Sequence, residues 1–313
     1  MRYACFFDTL LIHIVKEEFF MATFLVLGGT RFFGKKLVER LIKAGHTVTI
    51  ATRGQAQNPF GDAVEHLQFD RTDAAAFEAA VDGRAWDIVY DNICYSPNDA
   101  REAVRILEGK AGKLVFTSSL ATYDPRDGIR SEEDFNPLAH EVREGNTADF
   151  TYGEGKRQVE AVYYQYASFP VVAVRFPIVV GEDDYTERLL FHVQHVLEGK
   201  PMAFVSLDAR MSYITSDEAA AFLQWAGEKA PAEPFNATAT GSYTIAEFIA
   251  LVEQATNKRA KIAIGGDEAT RSPYAVGADW YMTNDKATKA GFTFSQLDGW
   301  LLPLIKKLVA AEH

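Results

Sequence analysis

The chain has 313 residues, with 43 Asp or Glu against 32 Lys or Arg, a formal charge of −11. Hydrophobic residues make up 48% and charged residues 24%; this excludes a disordered chain, and the acidic balance disfavours nonspecific contact with nucleic acid or an anionic membrane. Cys5 and Cys94 are the only cysteines, which excludes a disulfide scaffold or a thiolate metal site and fits a reducing cytoplasm.

Residues 1–20 are apolar in patches, but Asp8, His13, Lys16, Glu17 and Glu18 interrupt them. They lack the basic start, unbroken apolar stretch and small-residue cleavage site of a signal peptide. No uninterrupted apolar run of about 18 residues occurs, so no membrane-spanning helix is expected. The fold signal begins at Met21, so residues 1–20 read as an extension and Met21 as the natural start.

Phe24 to Leu27 is a short apolar run that meets Gly28-Gly29. Residues 32–44 then carry Phe33, Leu37, Leu41 and Ile42 at helical spacing. Gly45 stops that helix, and Thr47 to Ala51 reads as a β-branched strand. Strands are expected near 66–69, 87–91, 113–118 and 171–176, and helices near 73–81, 98–109 and 152–168. This alternation predicts an α/β fold with a Rossmann-type doubly wound parallel sheet over residues 21–180. After residue 180 the rhythm changes. A helix near 185–198, strands near 202–205 and 212–215, and helices near 217–227 and 244–256 predict a smaller C-terminal α/β substrate lobe over 181–313. Some of its strands and helices are allowed to return to the Rossmann core. Glu228 to Pro234 reads as a connecting loop.

Gly28-Gly29-Thr30-Arg31-Phe32-Phe33-Gly34 follows a strand and opens a helix. There, backbone N–H groups and the helix N-terminus favour a dinucleotide pyrophosphate. An acidic residue ending the second strand would bond the adenosine ribose and repel a 2′-phosphate. Thr52-Arg53 stands there instead, and Arg31 lies in the adjacent loop. Two cations and no carboxylate favour NADP(H), with NAD(H) second. Asp70, at the end of the third strand, is placed either to accept from an adenine amino group or to cap the next helix, with Asp73 as the other cap.

Tyr152 and Lys156 stand four apart, on one face of a helix. A free phenol has a pKa of about 10, and a nearby ammonium lowers it, which would fit Tyr152 as an acid or base on an alcohol or carbonyl oxygen. Gly153 and Gly155 cost helix stability, which suggests close backbone approach or a late helix start. Leu114 to Thr117 ends in Ser118-Ser119, at a carboxyl strand end where ligands bind.

These segments, with Phe116-Thr117-Ser118-Ser119, Arg175 to Gly181 and Arg210-Met211-Ser212-Tyr213-Ile214 followed by Asp217, resemble the extended branch of the short-chain dehydrogenase/reductase superfamily. That branch includes the NAD-dependent epimerase/dehydratase family, and the resemblance runs from Ala22 to about Leu308. It implies that Ser119 orients the substrate oxygen and Tyr152 is the acid/base. Lys156 lowers the tyrosine pKa and holds the nicotinamide ribose, and Pro177 lies beside the nicotinamide. It also implies a homodimer and an anion-binding role for Arg210; the alternative for Arg210 is an ion pair with Asp217. Arg31 replaces the usual middle glycine, as in a subgroup that includes chloroplast RNA-binding relatives. The Thr-Asp-Glu of sugar-nucleotide dehydratases is missing after Ser119, which disfavours dehydration.

Tyr95 and Ser96 are expected at the substrate pocket. Cys94 reads as a buried inert thiol, and His192 and His195 as packing residues. Asn236-Ala237-Thr238 fits a glycosylation pattern that is expected to be coincidental. The reading is a cytoplasmic NAD(P)-dependent oxidoreductase or epimerase acting on a small carbonyl, an alcohol or a sugar nucleotide. Its rival is a non-enzymatic NADP-binding sensor or RNA-binding protein on the same fold.

Overall fold

A computed structural model describes residues 21–55, 57–266 and 268–312; the N-terminal extension and Cys5 lie outside the described residues. The first unit runs β1 (Thr23–Leu27), α1 (Phe32–Lys43), β2 (Thr47–Thr52), β3 (Glu65–Gln68), α2 (Ala74–Val81) and β4 (Ile88–Asp91). It continues through α3 (Pro97–Leu107), β5 (Leu114–Ser119), α4 (Tyr152–Tyr166), β6 (Val171–Phe176) and β7 (Ile178–Val180). Next come α5 (Arg188–Glu198), β8 (Pro201–Phe204), β9 (Arg210–Met211), β10 (Tyr213–Thr215), α6 (Ser216–Glu228), β11 (Phe235–Asn236) and β12 (Tyr243–Thr244). The chain ends with α7 (Ile245–Thr256), β13 (Lys261–Ile264), α8 (Asp285–Lys289) and α9 (Leu297–Ala311).

Seven parallel strands form the main sheet in the order β11-β6-β5-β4-β1-β2-β3. This is the doubly wound order with one extra edge strand. Successive side chains point to opposite faces, so each strand feeds two cores. Phe24, Val26, Val48, Ile50 and Tyr90 pack with Leu37, Val38 and Leu41 of α1 and Phe222 and Leu223 of α6. Leu25, Leu27, Val89 and Phe116 pack with Phe77 of α2, Leu107 of α3, and Val159 and Val162 of α4. Asp73, Ser96, Thr151, Thr215 and Thr244 cap α2, α3, α4, α6 and α7, each accepting from a first-turn N–H.

Beyond residue 180, β11 extends the sheet beside β6 and α6 packs on α1. The other late elements build a third core of Leu189, Val193, Met202, Phe204, Ile249, Leu301 and Ile305. The helix expected from residue 185 begins at Arg188, because Glu187 takes a left-handed conformation (φ 55°). Helix α9 and the short strands β9, β11, β12 and β13 were not among the expected elements.

His192 sits inside the third core, its Nε2 2.7 Å from Ser272 Oγ and its Nδ1 2.8 Å from the Arg188 carbonyl. Burial pushes its pKa down to about 3 from the ordinary 6.5. The unfolded chain therefore binds this proton first. The stability from neutral His192 is whole above about pH 6.5 and is lost as pH falls, at up to about 1.4 kcal/mol per unit. Urea denaturation of His192→Gln at pH 7 and pH 5 should show a shallower acid loss than the parent chain. Equal slopes would mean that His192 does not govern acid sensitivity.

Candidate active site

The glycine loop joins β1 to α1 at the carboxyl edge of the sheet. Gly28 has φ +83°, and a Cβ there would lie 2.5 Å from Ile93 Cγ2. A Cβ on Gly34 would lie 2.6 Å from the Gly28 carbonyl oxygen, so α1 packs against the turn only because that Cβ is missing. Arg31 is extended (φ −137°) and exposed, so its position needs no glycine. The left-handed residue is Phe32 (φ 50°), a conformation that costs a bulky side chain of order 1 kcal/mol or more. No side chain caps α1, and its first turn holds no acidic residue. Its N–H groups remain an electropositive site. Asn92 Nδ2 donates to the Gly28 carbonyl at 3.4 Å and Asn92 Oδ1 accepts from Thr117 at 2.7 Å, which ties the loop to β5.

At the end of β2, Thr52 Oγ1 lies 2.8 Å from His66 Nε2 and accepts from Gly54 N at 3.2 Å, while Arg53 is exposed. Asp70 accepts from Thr72 N at 3.0 Å and Thr72 Oγ1 at 2.8 Å. Those bonds, and less so the Arg53 charge, hold its carboxyl below the ordinary range. Asp73 caps α2, so Asp70 closes a turn beside Arg53 and is not the helix cap.

Tyr152 is the first residue of α4 and is 58% exposed. A Cβ on Gly153 would lie 2.4 Å from the Ala121 carbonyl oxygen, and one on Gly155 2.7 Å from that of Tyr95. The two glycines thus let the first turn of α4 sit between two backbone loops, which is the close approach the sequence suggested. Ser119 Oγ accepts from Ala121 N at 3.1 Å. The Tyr152 phenol has a raised pKa: desolvation pushes it up, and the Ser119 hydroxyl and the Arg188 charge pull it down.

Lys156 lies deeper than Tyr152. Its ammonium is 2% exposed and donates to the Cys94 carbonyl at 3.0 Å and the Thr117 carbonyl at 2.8 Å. It stands 6.0 Å from the Tyr152 ring centre. In this geometry the lysine serves backbone carbonyls, and the groups that pull the phenol down are Ser119 and Arg188. Burial lowers the pKa of Lys156 to about 8, against the partly offsetting pull of Cys94, Asp91 and Glu160.

Beneath these residues lies a polar layer that sequence reading missed. Arg175 of β6 donates to Glu160 of α4 at 2.6 and 3.0 Å, with both side chains fully buried, and Ser118 donates to the same carboxylate. Asp91, at the end of β4, accepts from Tyr163 of α4 and from Arg71, each at 2.6 Å. At the mouth of the cleft, Tyr185 meets Phe32 edge-on with ring centres 6.0 Å apart. Beside it opens a cavity of about 520 Å³ lined by Arg188, Gln194, Glu268, Arg271 and Ser272 among others.

Other expected site residues fall elsewhere. Ser96 is fully buried and caps α3, accepting from Asp99 N and donating to Asp99 Oδ2, so it does not line a pocket. Tyr95, its neighbour, is partly exposed and faces Tyr152 at 6.4 Å between ring centres. Arg210 donates to Ser242 Oγ at 2.9 Å and to the Ser242 carbonyl at 2.8 Å; Asp217 pairs with Lys36. The alternative of an Arg210–Asp217 ion pair is therefore not formed; the carboxylate nearest the Arg210 guanidinium is Glu247, at 3.8 Å. Pro177 is half-buried between β6 and β7. Cys94 is buried, which pushes its thiol up to about 12, and His195 stacks on Phe191. Asn236 is buried and accepts from the Tyr123 hydroxyl at 2.5 Å, which closes it to a glycan.

The model of the NAD dependent epimerase/dehydratase family matches residues 24–238. The chain belongs to that family. An Arabidopsis thaliana relative, the chloroplast stem-loop binding protein of 41 kDa b, is 29% identical over 68% of this chain, and the match spans 57% of the relative's own length. The Thermotoga maritima UDP-glucose 4-epimerase, solved with UDP-glucose, superposes with TM-score 0.69 at 17% identity over 92% of this chain and 97% of its own. The Thermus thermophilus UDP-glucose 4-epimerase, solved with NAD, does so with TM-score 0.68 at 18% identity over 92% of this chain and 98% of its own. At these identities the two superpositions establish the shared Rossmann-like fold. Among the described residues, no helix is long and apolar enough to cross a membrane.

Replacing Glu160 by Gln leaves the buried Arg175 guanidinium without its counter-charge. The expected cost is about 3–5 kcal/mol of stability by denaturant unfolding. A cost below about 1 kcal/mol would show that the pair does not hold α4 to the sheet.

Proposed function

We propose that this family member is an NAD(P)-dependent oxidoreductase or epimerase acting on a carbonyl or alcohol carbon. The observation that carries the reading is the convergence of Ser119, Tyr152 and Lys156 at the carboxyl end of β5, next to α1's uncapped N-terminus. A nicotinamide dinucleotide, when bound, supplies the hydride acceptor or donor. Gly28, Gly29, Thr30, Phe32, Phe33 and Gly34 shape the turn that receives its pyrophosphate. Tyr152 carries the proton to or from the substrate oxygen, and Ser119 fixes that oxygen beside the phenol. Lys156 keeps one N–H beyond its two carbonyl partners, the donor for a ribose hydroxyl. Pro177 borders the nicotinamide end.

Arg31 and Arg53 are both exposed at the adenosine side, and no carboxylate ends β2. This supports NADP(H) over NAD(H), with Asp70 at the adenine edge. The cavity lined by Arg188 and Arg271 together with Glu187 and Glu268, close to the phenol on which Arg188 acts, offers both cations and carboxylates to a polar substrate such as a sugar nucleotide. The RNA-binding alternative suggested by the Arabidopsis relative's name is opposed by the charge of −11, since a phosphate backbone rewards cations.

Tyr152→Phe should bind NADPH as the parent does and lose about a hundredfold or more in turnover with an accepted carbonyl substrate. Unchanged turnover would remove Tyr152 from the mechanism. Fluorescence titration of Arg53→Ala should show NADPH affinity lower by about tenfold, roughly 1.4 kcal/mol, with NADH affinity unmoved. An equal loss for both cofactors would assign Arg53 to general electrostatics, and no loss would remove it from the site.

A further inference from the structure

Lys156 is a buried cation without a carboxylate partner among the described residues. The acidic groups nearest it are committed elsewhere: Asp91 to Arg71 and Tyr163, and Glu160 to Arg175 and Ser118. Its two oxygen partners are neutral carbonyls. An isolated ammonium in such a place tends to lose its proton. Two aromatic faces supply the missing compensation. The Tyr95 ring centre is 4.3 Å from Lys156 Nζ, and that of Phe116 is 4.6 Å away. A desolvated cation at this distance from a π face is at its most strongly attracted. Phe116 is a fully buried sheet residue that also packs edge-on against Tyr163. Tyr95 differs. It lies in the loop after β4, remains 39% exposed, and keeps its ring over the lysine at the mouth of the cleft.

We propose that Tyr95 is a positioning residue, whose ring face keeps the Lys156 ammonium charged and seated against the Cys94 and Thr117 carbonyls. This rests on the reading above only in placing Lys156 at the working site. The groups that act on the ammonium are the Cys94 thiol, Asp91 and Arg71 from the strand ends, and Glu160 of its own helix, with the Tyr152 ring at 6.0 Å. All except Tyr95 and Tyr152 are buried. Tyr95 is therefore the partner that can be altered without opening the core.

The test is the titration of the Lys156 side chain itself, which needs neither substrate nor turnover. Protein labelled with carbon-13 at lysine Cε is titrated by NMR, with the Lys156 signal assigned by its loss in Lys156→Arg. Tyr95→Phe should titrate with the parent. Tyr95→Leu, which keeps bulk and loses the π face, should titrate about one unit lower. Trifluorophenylalanine at position 95, nearly the same shape with a depleted ring face, should fall between them. It decides the matter if Tyr95→Leu does not fold. An unshifted Lys156 in the leucine or fluorinated protein overturns the proposal. So does a drop in Tyr95→Phe equal to that in Tyr95→Leu, which would assign the effect to the hydroxyl. Failure of the Tyr152→Phe turnover experiment would leave this result untouched, because the two readouts share no step.

Discussion

Helix α4 is registered on the sheet by charge. Lys156, Glu160 and Tyr163 fall on one helical face, and each reaches a different strand end. Lys156 reaches the Thr117 carbonyl of β5, Glu160 reaches Arg175 of β6, and Tyr163 reaches Asp91 of β4. Apolar faces tolerate some sliding and repacking. A buried ion pair does not, because each partner left alone costs several kcal/mol. That one ion pair, with the Lys156 and Tyr163 hydrogen bonds on either side of it, fixes both the rotation and the axial position of α4. Tyr152, one turn before Lys156, inherits its place from them.

The same constraint explains the shape of the surrounding cleft. With α4 held down by its charges, the loops bearing Tyr95 and Ala121 crowd its first turn, where only glycines fit at 153 and 155. The glycine loop is joined to this assembly through Asn92 and Thr117. Strain is concentrated at Phe32, the one residue of that loop with both a side chain and a left-handed backbone. Its ring is gripped by Phe33 and Tyr185, which helps to hold the unfavourable conformation.

Much of this was legible in the sequence. Strand β6 reads as a strand from its short run Val171-Val172-Ala173-Val174, the pattern of a sheet covered on both sides, and all six of its residues are buried. The helix start at Tyr152, the cap at Asp73 and the glycine loop all announce themselves locally. The polar layer under α4 does not. Arg71, Asp91, Glu160 and Arg175 are lone charges with no periodic signature, and distant segments bring them together. Ser96 was misread although its signal was present: Ser-Pro followed by Asp99 is a helix start, and the hydroxyl is consumed there. The Arg210–Ser242 contact was hidden for the opposite reason, since nothing local distinguishes Ser242 from any other serine. Helix α9 carries an internal Pro303, which weakens its helical pattern. Strand β11 is two residues long, too short for any periodicity.

That short strand has a consequence for how the protein is made. Phe235 pairs with Val174 and Asn236 with Arg175, so part of the β6 edge is covered by a segment translated well after it. A chain leaving the ribosome N-terminus first has its first six strands before it has their last neighbour. Until Asn236 arrives, β6 presents an open edge and the Tyr123 hydroxyl lacks an acceptor at Asn236. The nascent protein must therefore wait with an adhesive margin exposed, and the interval before residue 236 emerges is when a holding chaperone would matter most.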